Sequence, residues 1–200
     1  CEMWRISEDF WDRWPQLEMA FYNFLAWQDF IGPGHWADGD MLPLGRIGAR
    51  QHPDNAPDRM TRFSRYEQTC LMTLFSIVQS PLMFGGDLPS NDPWTLQLIT
   101  NPEVLAVNQT GLRPRELFRD CSRSAVAWVC DLPDGVTALG VFSFHPKETR
   151  TARVPFAEAG LPEKCQVRDL WARQDVGEVA GILEAEIPPH GARLFKVRGT

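Results

Sequence analysis

Residues 64–87, SRYEQTCLMTLFSIVQSPLMFGGD, decide the fold class. Ser64 and Glu67 stand at capping-box spacing, and Cys70, Leu71, Leu74, Ile77 and Val78 repeat at helical spacing behind them. Pro81 cannot continue a helix, so the helix must stop before it. PLMFGGD, residues 81–87, then reads as a short buried strand closed by a glycine turn. A helix feeding directly into a strand is half of a βα repeat, and the neighbouring segments supply the rest.

Upstream, Leu17, Phe21, Phe24 and Leu25 predict a helix over about residues 15–27. GPGHWADGDM, residues 32–41, reads as a glycine-rich turn, and QHPDNAPD, residues 51–58, as a polar loop. Downstream, Asn91 or Asp92 before Pro93, and Asn101 before Pro102, are helix start signals. Helices thus alternate with short strands through the first half, which predicts parallel βα units. From Arg115 the grammar changes. RELF, AVAWV, TALGVFSF, ARVPF, CQVRDLW, ILEAEI and ARLFKV are short apolar-rich runs separated by turns such as Asp134-Gly135 and His145-Pro146, the pattern of an antiparallel sandwich. The expected class is α/β plus all-β, divided into residues 1–112 and 113–200. A closed (β/α)8 TIM barrel takes roughly 250 residues. Residues 1–112 hold too few units for one and open on Cys1 rather than Met. They are therefore expected to be the C-terminal portion of such a barrel, truncated at its N-terminus.

The chain has 200 residues and a net charge of −6. Residues 1–112 carry 14 acids against 7 bases, and residues 113–200 carry 12 against 13. Neither half has the basic excess that phosphate backbones demand, so no nucleic acid partner is expected. No apolar run approaches the roughly 20 residues of a membrane span. The five cysteines form no CxxC pair and no Cys/His ligand spacing, so no metal site is expected. Cys70 reads as core, and Cys121 with Cys130 could pair across neighbouring strands. Asn108-Gln-Thr110 fits the glycosylation pattern.

Loops after parallel strands carry active sites in βα folds. Three are placed here, at residues 4–14, 34–42 and 85–92. The first reads WRISEDFWDRW, with acids set among tryptophans. Apolar sugar faces stack on aromatic rings while hydroxyls take hydrogen bonds, and glycosidic cleavage commonly uses two carboxyl groups. Asp9, Asp38 and Asp40 are the candidates. Each has a plainer use: Asp9 as a cap of the helix that follows, Asp38 and Asp40 as turn formers.

WRISED (4–9) followed by DRW (12–14), GPGHWADGDMLPLG (32–45), SPLMFGGDL (80–88) and EVLAVNQ (103–109) together resemble the α-galactosidases of glycoside hydrolase family 27. VRDLW (167–171) and IPPHGARLF (187–195) are similar to that family's C-terminal sandwich, so the resemblance runs along the whole chain. It implies a (β/α)8 barrel followed by an antiparallel β-sandwich, and release of terminal α-linked galactose with retention. By the family's motif Asp9 is the general acid/base and Arg5 binds the sugar hydroxyl beside the anomeric carbon. Asp40 and Met41 match pocket residues, with Trp36 nearby and Asp38 beside them. The family's nucleophile and sugar-selecting residues lie upstream of Cys1, so residues 1–200 alone are expected to be inactive. The chemistry needs no cofactor, and glycan degradation suits extracellular or periplasmic work. Related specificities, α-N-acetylgalactosaminidase and β-L-arabinopyranosidase, share the resemblance. A competing class is a non-catalytic carbohydrate-binding half-barrel and sandwich, with Trp128 and Trp171 as stacking rings rather than core.

Overall fold

The capping box is present in both directions: Glu67 N–H donates to Ser64 Oγ at 3.2 Å and Ser64 N–H to Glu67 Oε2 at 2.8 Å. In the computed structural model, which describes residues 1–48, 58–120, 122 and 124–200, this box opens the central helix. In chain order the first half runs β1 (Met3–Arg5), α1 (Trp14–Trp27), β2 (Trp36–Asp38), β3 (Met41–Leu42), β4 (Arg46–Ile47), β5 (Arg59–Met60), α2 (Arg65–Ile77), β6 (Met83–Phe84), α3 (Pro93–Ile99) and α4 (Pro102–Thr110). Asp92 Oδ1 caps α3 by accepting Thr95 N–H, and Asn101 Oδ1 caps α4 by accepting Glu103 N–H. β1 pairs with β2, and β3 with β6, both in parallel. The alternation read from the sequence is therefore real βα structure.

The second half holds β7 (Leu112–Asp120), β8 (Ala125–Leu132), β9 (Val136–Ser143), β10 (Arg150–Pro155), β11 (Lys164–Asp169), β12 (Gln174–Ala180), β13 (Ile182–Ile187) and β14 (Ala192–Gly199). Six of them form one antiparallel sheet in the order β12-β11-β14-β9-β8-β7, and β10 pairs with β13 as a second layer. Asp134 and Gly135 turn β8 into β9 with φ of 61° and 67°, the left-handed backbone that an Asp-Gly pair tolerates best.

The large sheet is covered on both faces. Val126, Trp128 and Cys130 of β8, Phe142 of β9 and Leu194 of β14 join one core with Phe21, Phe24, Leu71, Leu74 and Phe75 of the helices. Ala127, Val129, Leu139, Val141, Phe195 and Val197 point the other way, against Val154, Leu183 and Ile187 of the two-stranded layer. β8 and β9 consequently read as continuous apolar runs rather than alternating ones. Helix α2 lies in the joint, with every residue from Cys70 to Ile77 buried. Each fully buried Leu, Ile or Phe there contributes roughly 1.5–3 kcal/mol. Burial thus outweighs the capping box, worth about 1 kcal/mol per cap.

Several expectations need correction. The strand in PLMFGGD is only two residues long and is not buried: Met83 is exposed, because β6 pairs on one side with β3 and has no second neighbour among the described residues. GPGHWADGDM is a turn only at its start, where Gly32 and His35 bridge; Trp36 and Asp38 already lie in β2 and Met41 in β3. β12 gave no apolar signal because it is an edge strand with mostly exposed side chains. Asn108 donates through Nδ2 to Phe75 and Ser80 carbonyls at 3.2 and 2.9 Å, which holds its amide inside the fold rather than offering it to a glycan. Cys70 is core as expected, and Cys130 is a buried free thiol. Its suggested partner Cys121, and most of the 51–58 loop, lie outside the described residues.

Candidate active site

The parallel pairing sets Arg5 at the end of β1 opposite Asp38 at the end of β2. Side chains alternate along a strand. Trp4 and Ala37 pack into the helical core. Arg5 and Asp38 therefore alternate onto the opposite face, while Trp36 itself packs against that core. One residue past β2 the chain passes over the edge-to-face pair Phe24 and Phe75, whose rings are 5.6 Å apart. A Cβ on Gly39 would sit 2.7 Å from Phe75 Cζ and 2.8 Å from Phe24 Cζ, so only glycine fits. Gly39 N–H is held by Ser80 Oγ at 3.1 Å.

Asp40 then takes φ of 82°. Aspartate is among the few residues that tolerate this region. Its N–H donates to Asp38 Oδ1 at 2.8 Å, a local turn of the kind Asp side chains form. The carboxylate of Asp40 is thereby aimed across the strands. Its Oδ2 accepts Arg5 Nη2 at 2.5 Å and Phe10 N–H at 2.7 Å. Arg5 Nη2 also donates to Asp9 Oδ1 at 3.3 Å and to Glu8 O at 3.0 Å. One guanidinium thus bridges two carboxylates from different loops. Their settings differ sharply: the Asp9 side chain is 92% exposed, that of Asp40 17%. Apart from its bond to Arg5 the Asp9 carboxylate is open to solvent, while that of Asp40 holds both Arg5 and the loop.

The acid loop is pinned from behind. Gln16 donates through Nε2 to Asp9 O at 2.9 Å and accepts Trp11 N–H at 3.1 Å. Asp12, with a fully buried side chain, takes Arg59 in a two-pronged bond at 2.5 and 3.0 Å and accepts Arg62 N–H at 2.6 Å. Burial by itself pushes the Asp12 carboxyl up, but the hydrogen bonds from Arg59 and Arg62 N–H and the Arg59 charge outweigh it, leaving Asp12 below the usual carboxylate range. Asp9 does not cap α1, whose N-cap is Arg13 with no side-chain cap bond.

The structure brings together Arg5, Asp9 and Asp40, with Trp36 and Met41 half-buried on the adjoining strand ends. Asp38 is 6% exposed and props up Asp40 instead of facing the opening. Sequence reasoning missed Gln16, Ser80 and Arg59 as supports. Ser80 and Arg59 act on partners more than 40 residues away, which no local pattern reveals. Among the described residues no group of three or more His, Cys, Asp or Glu side chains could hold a metal ion, and no helix is long and apolar enough to cross a membrane.

Comparison with known proteins points one way. The family model described as alpha galactosidase A matches residues 1–110, and that of the alpha galactosidase C-terminal beta sandwich domain matches residues 122–197. A family 27 β-L-arabinopyranosidase from Geobacillus stearothermophilus is 42% identical with a TM-score of 0.94, covering 100% of this chain and 45% of that one. A protein of Bacillus halodurans provisionally named an α-N-acetylgalactosaminidase is 36% identical with a TM-score of 0.88, covering 98% of this chain and 46% of that one. Alpha-galactosidase D of Emericella nidulans is 27% identical over 98% of this chain and 28% of its own length. The chain spans less than half the length of each of these relatives.

Proposed function

We propose a function from one premise: this chain belongs to glycoside hydrolase family 27, the family of alpha galactosidase A. In the intact protein, residues 1–112 are the C-terminal portion of a (β/α)8 barrel and residues 113–200 its β-sandwich. The protein is a retaining glycoside hydrolase that releases terminal α-linked galactose. The observation that carries this reading is the exposed Asp9 carboxylate bridged through Arg5 to the ordered Asp40 at adjoining ends of parallel strands.

Asp9 serves as general acid/base. It gives a proton to the departing glycosidic oxygen and then takes one from the water that releases the sugar. Arg5, fixed by Asp40, presents donors to the ring hydroxyl beside the anomeric carbon. Trp36 and Met41 supply apolar surface for the sugar's carbon face. Retention needs a second carboxylate about 5–5.5 Å from the acid, acting as nucleophile. Asp12, Asp38 and Asp40 are already committed to Arg59, Asp40 N–H and Arg5. By the family resemblance the nucleophile lies outside these residues, and on that reading the isolated 200-residue polypeptide has no hydrolase activity.

The test is Asp9→Asn in the intact protein. Turnover of a galactoside with a poor leaving group should fall by about 10²–10⁴, the usual worth of general acid catalysis. An activated aryl galactoside should suffer less in the glycosylation step, because its leaving group needs no proton. Near-normal turnover of the poor substrate removes Asp9 from this role.

A second reading concerns the sugar. The two solved relatives at 42% and 36% identity carry the names arabinopyranosidase and N-acetylgalactosaminidase, whereas Alpha-galactosidase D stands at 27%. β-L-Arabinopyranose matches the α-galactose ring without its hydroxymethyl group. A missing methylene is worth about 1–3 kcal/mol of discrimination in a pocket, and a hydroxyl that the site hydrogen-bonds adds more. Comparing kcat/KM on the aryl α-galactoside, β-L-arabinopyranoside and α-N-acetylgalactosaminide separates the three. The binding-only reading loses Trp128, which is fully buried in the core.

A further inference from the structure

A cavity of about 310 Å³ opens where α2, α3 and the β11–β12 turn meet. None of its lining residues belongs to the Arg5–Asp9–Asp40 site. Its volume lies at the small end of the roughly 300–1,000 Å³ that ligand sites span. Two indoles line it, and both are fixed from the protein side. Trp94 Nε1–H donates to the buried Gln68 Oε1 at 3.0 Å, and Trp171 Nε1–H to the buried Thr73 Oγ1 at 2.8 Å. Arg65 sits 5.0 Å from the Trp94 ring centre and clamps it further. The rings' only polar hydrogens are thereby used internally, and what they offer the cavity is carbon surface.

The rest of the lining is polar. Gln97 is exposed, and its amide has no hydrogen-bond partner among the described residues. Thr100 lies beside it. Arg173 reaches in from the turn, held by a left-handed backbone (φ 56°) and by Glu103, 3.5 Å from its Nε. The turn itself is docked by Asn101 Nδ2, which donates to Leu170 O at 2.9 Å. The wall that carries Trp94 and the wall that carries Trp171 are thus locked together.

We infer that this cavity is a second, non-catalytic carbohydrate site that binds one pyranose unit between Trp94 and Trp171. Pre-fixed rings with spent N–H groups suit the apolar face of a pyranose. Gln97 and Arg173 supply donors for its hydroxyls, and Gln97 an acceptor. A purely apolar ligand would make no use of those groups, and an anion would face Glu103 beside Arg173.

The test uses the full chain with ¹⁵N-labelled tryptophan. Trp94→Phe and Trp171→Phe assign the two indole N–H signals by their loss. D-Galactose and melibiose are titrated, with cyclohexanol as a six-membered ring that lacks the hydroxyl pattern. The expected result is saturable movement of both signals with the sugars and not with cyclohexanol, unchanged in an Asp40→Asn background. Gln97→Ala, an exposed change with little bearing on folding, should weaken that response about 2- to 10-fold, the worth of one hydrogen bond. The inference is overturned if neither signal moves, if cyclohexanol acts as the sugars do, or if Gln97→Ala changes nothing. Loss of the response in Asp40→Asn also overturns it, because the signals would then report the Arg5–Asp9–Asp40 site. The readout is independent of hydrolysis, so failure of the proposed activity leaves it standing.

Discussion

Asp12→Asn tests how the acid loop is held. The substitution keeps the side chain's size but removes the charge that Arg59 grips at 2.5 and 3.0 Å, and sets an amide against a guanidinium or against Arg62 N–H. Taking one partner from a buried ion pair costs about 3–5 kcal/mol. Arg59 is 23% exposed and can regain some water, which places the expected loss near the low end, about 3 kcal/mol. For a chain of this length each kcal/mol moves Tm by about 2–4 °C, so the midpoint should fall by about 6–12 °C. Circular dichroism during heating at pH 7 measures it. The acid dependence carries a sign of its own. Asp12 has a folded pKa below its ordinary value of 3.8, so its stabilisation is fully present above that value and is lost as pH falls through the folded pKa. The gap between wild type and Asp12→Asn should therefore be widest near neutrality and shrink below pH 3.8. A midpoint within about 2 °C of wild type at pH 7, or a gap that widens in acid, would refute the reasoning. In the intact protein the same variant should lower turnover, since Asp12 anchors the loop three residues beyond Asp9.

Other positions yield shorter tests. Asn101→Ala removes both the α4 cap and the bond to Leu170 O, an expected loss of about 2 kcal/mol by urea unfolding; Asn101→Asp keeps the cap but turns a carboxylate oxygen on the Leu170 carbonyl in a buried site, so it should not restore the loss. Gly39→Ala drives a methyl into Phe24 and Phe75 and should cost about 1–3 kcal/mol while lowering activity of the intact protein through Asp40; full activity and stability would mean the approach is not tight. Burial, helped by the Asp131 charge, pushes the Cys130 thiol up to about 12, so a thiol reagent at pH 8 should leave Cys130 untouched in the native protein and reach it only in denaturant.

Legibility from sequence followed the range of the forces involved. Caps and stripes act within one turn of helix, so Ser64, Glu67, Asp92 and Asn101 announced their helices unaided. The turn at Asp134-Gly135 was equally readable, because its φ values are a property of two residues. β12 carries no readable signal because an exposed edge strand needs no apolar alternation, and the apolar letters of β6 predict burial while saying nothing about how many neighbours a strand has. At the candidate site the motif named Arg5, Asp9 and Asp40, but not how they divide their work.

That division is a matter of distances between segments far apart in the chain. Local hydrogen bonding and hydrophobic period were enough to specify the helices, the strands of the second half except β12, and the change of architecture after α4; the short strands β1 to β5 were not legible. Only the folded molecule sets Asp9 open to solvent, buries Asp38 beneath Asp40 and places Arg59 against Asp12, 47 residues away. A carboxylate's burial and partners depend on which strand ends the tertiary packing brings side by side. No short stretch of residues contains that information.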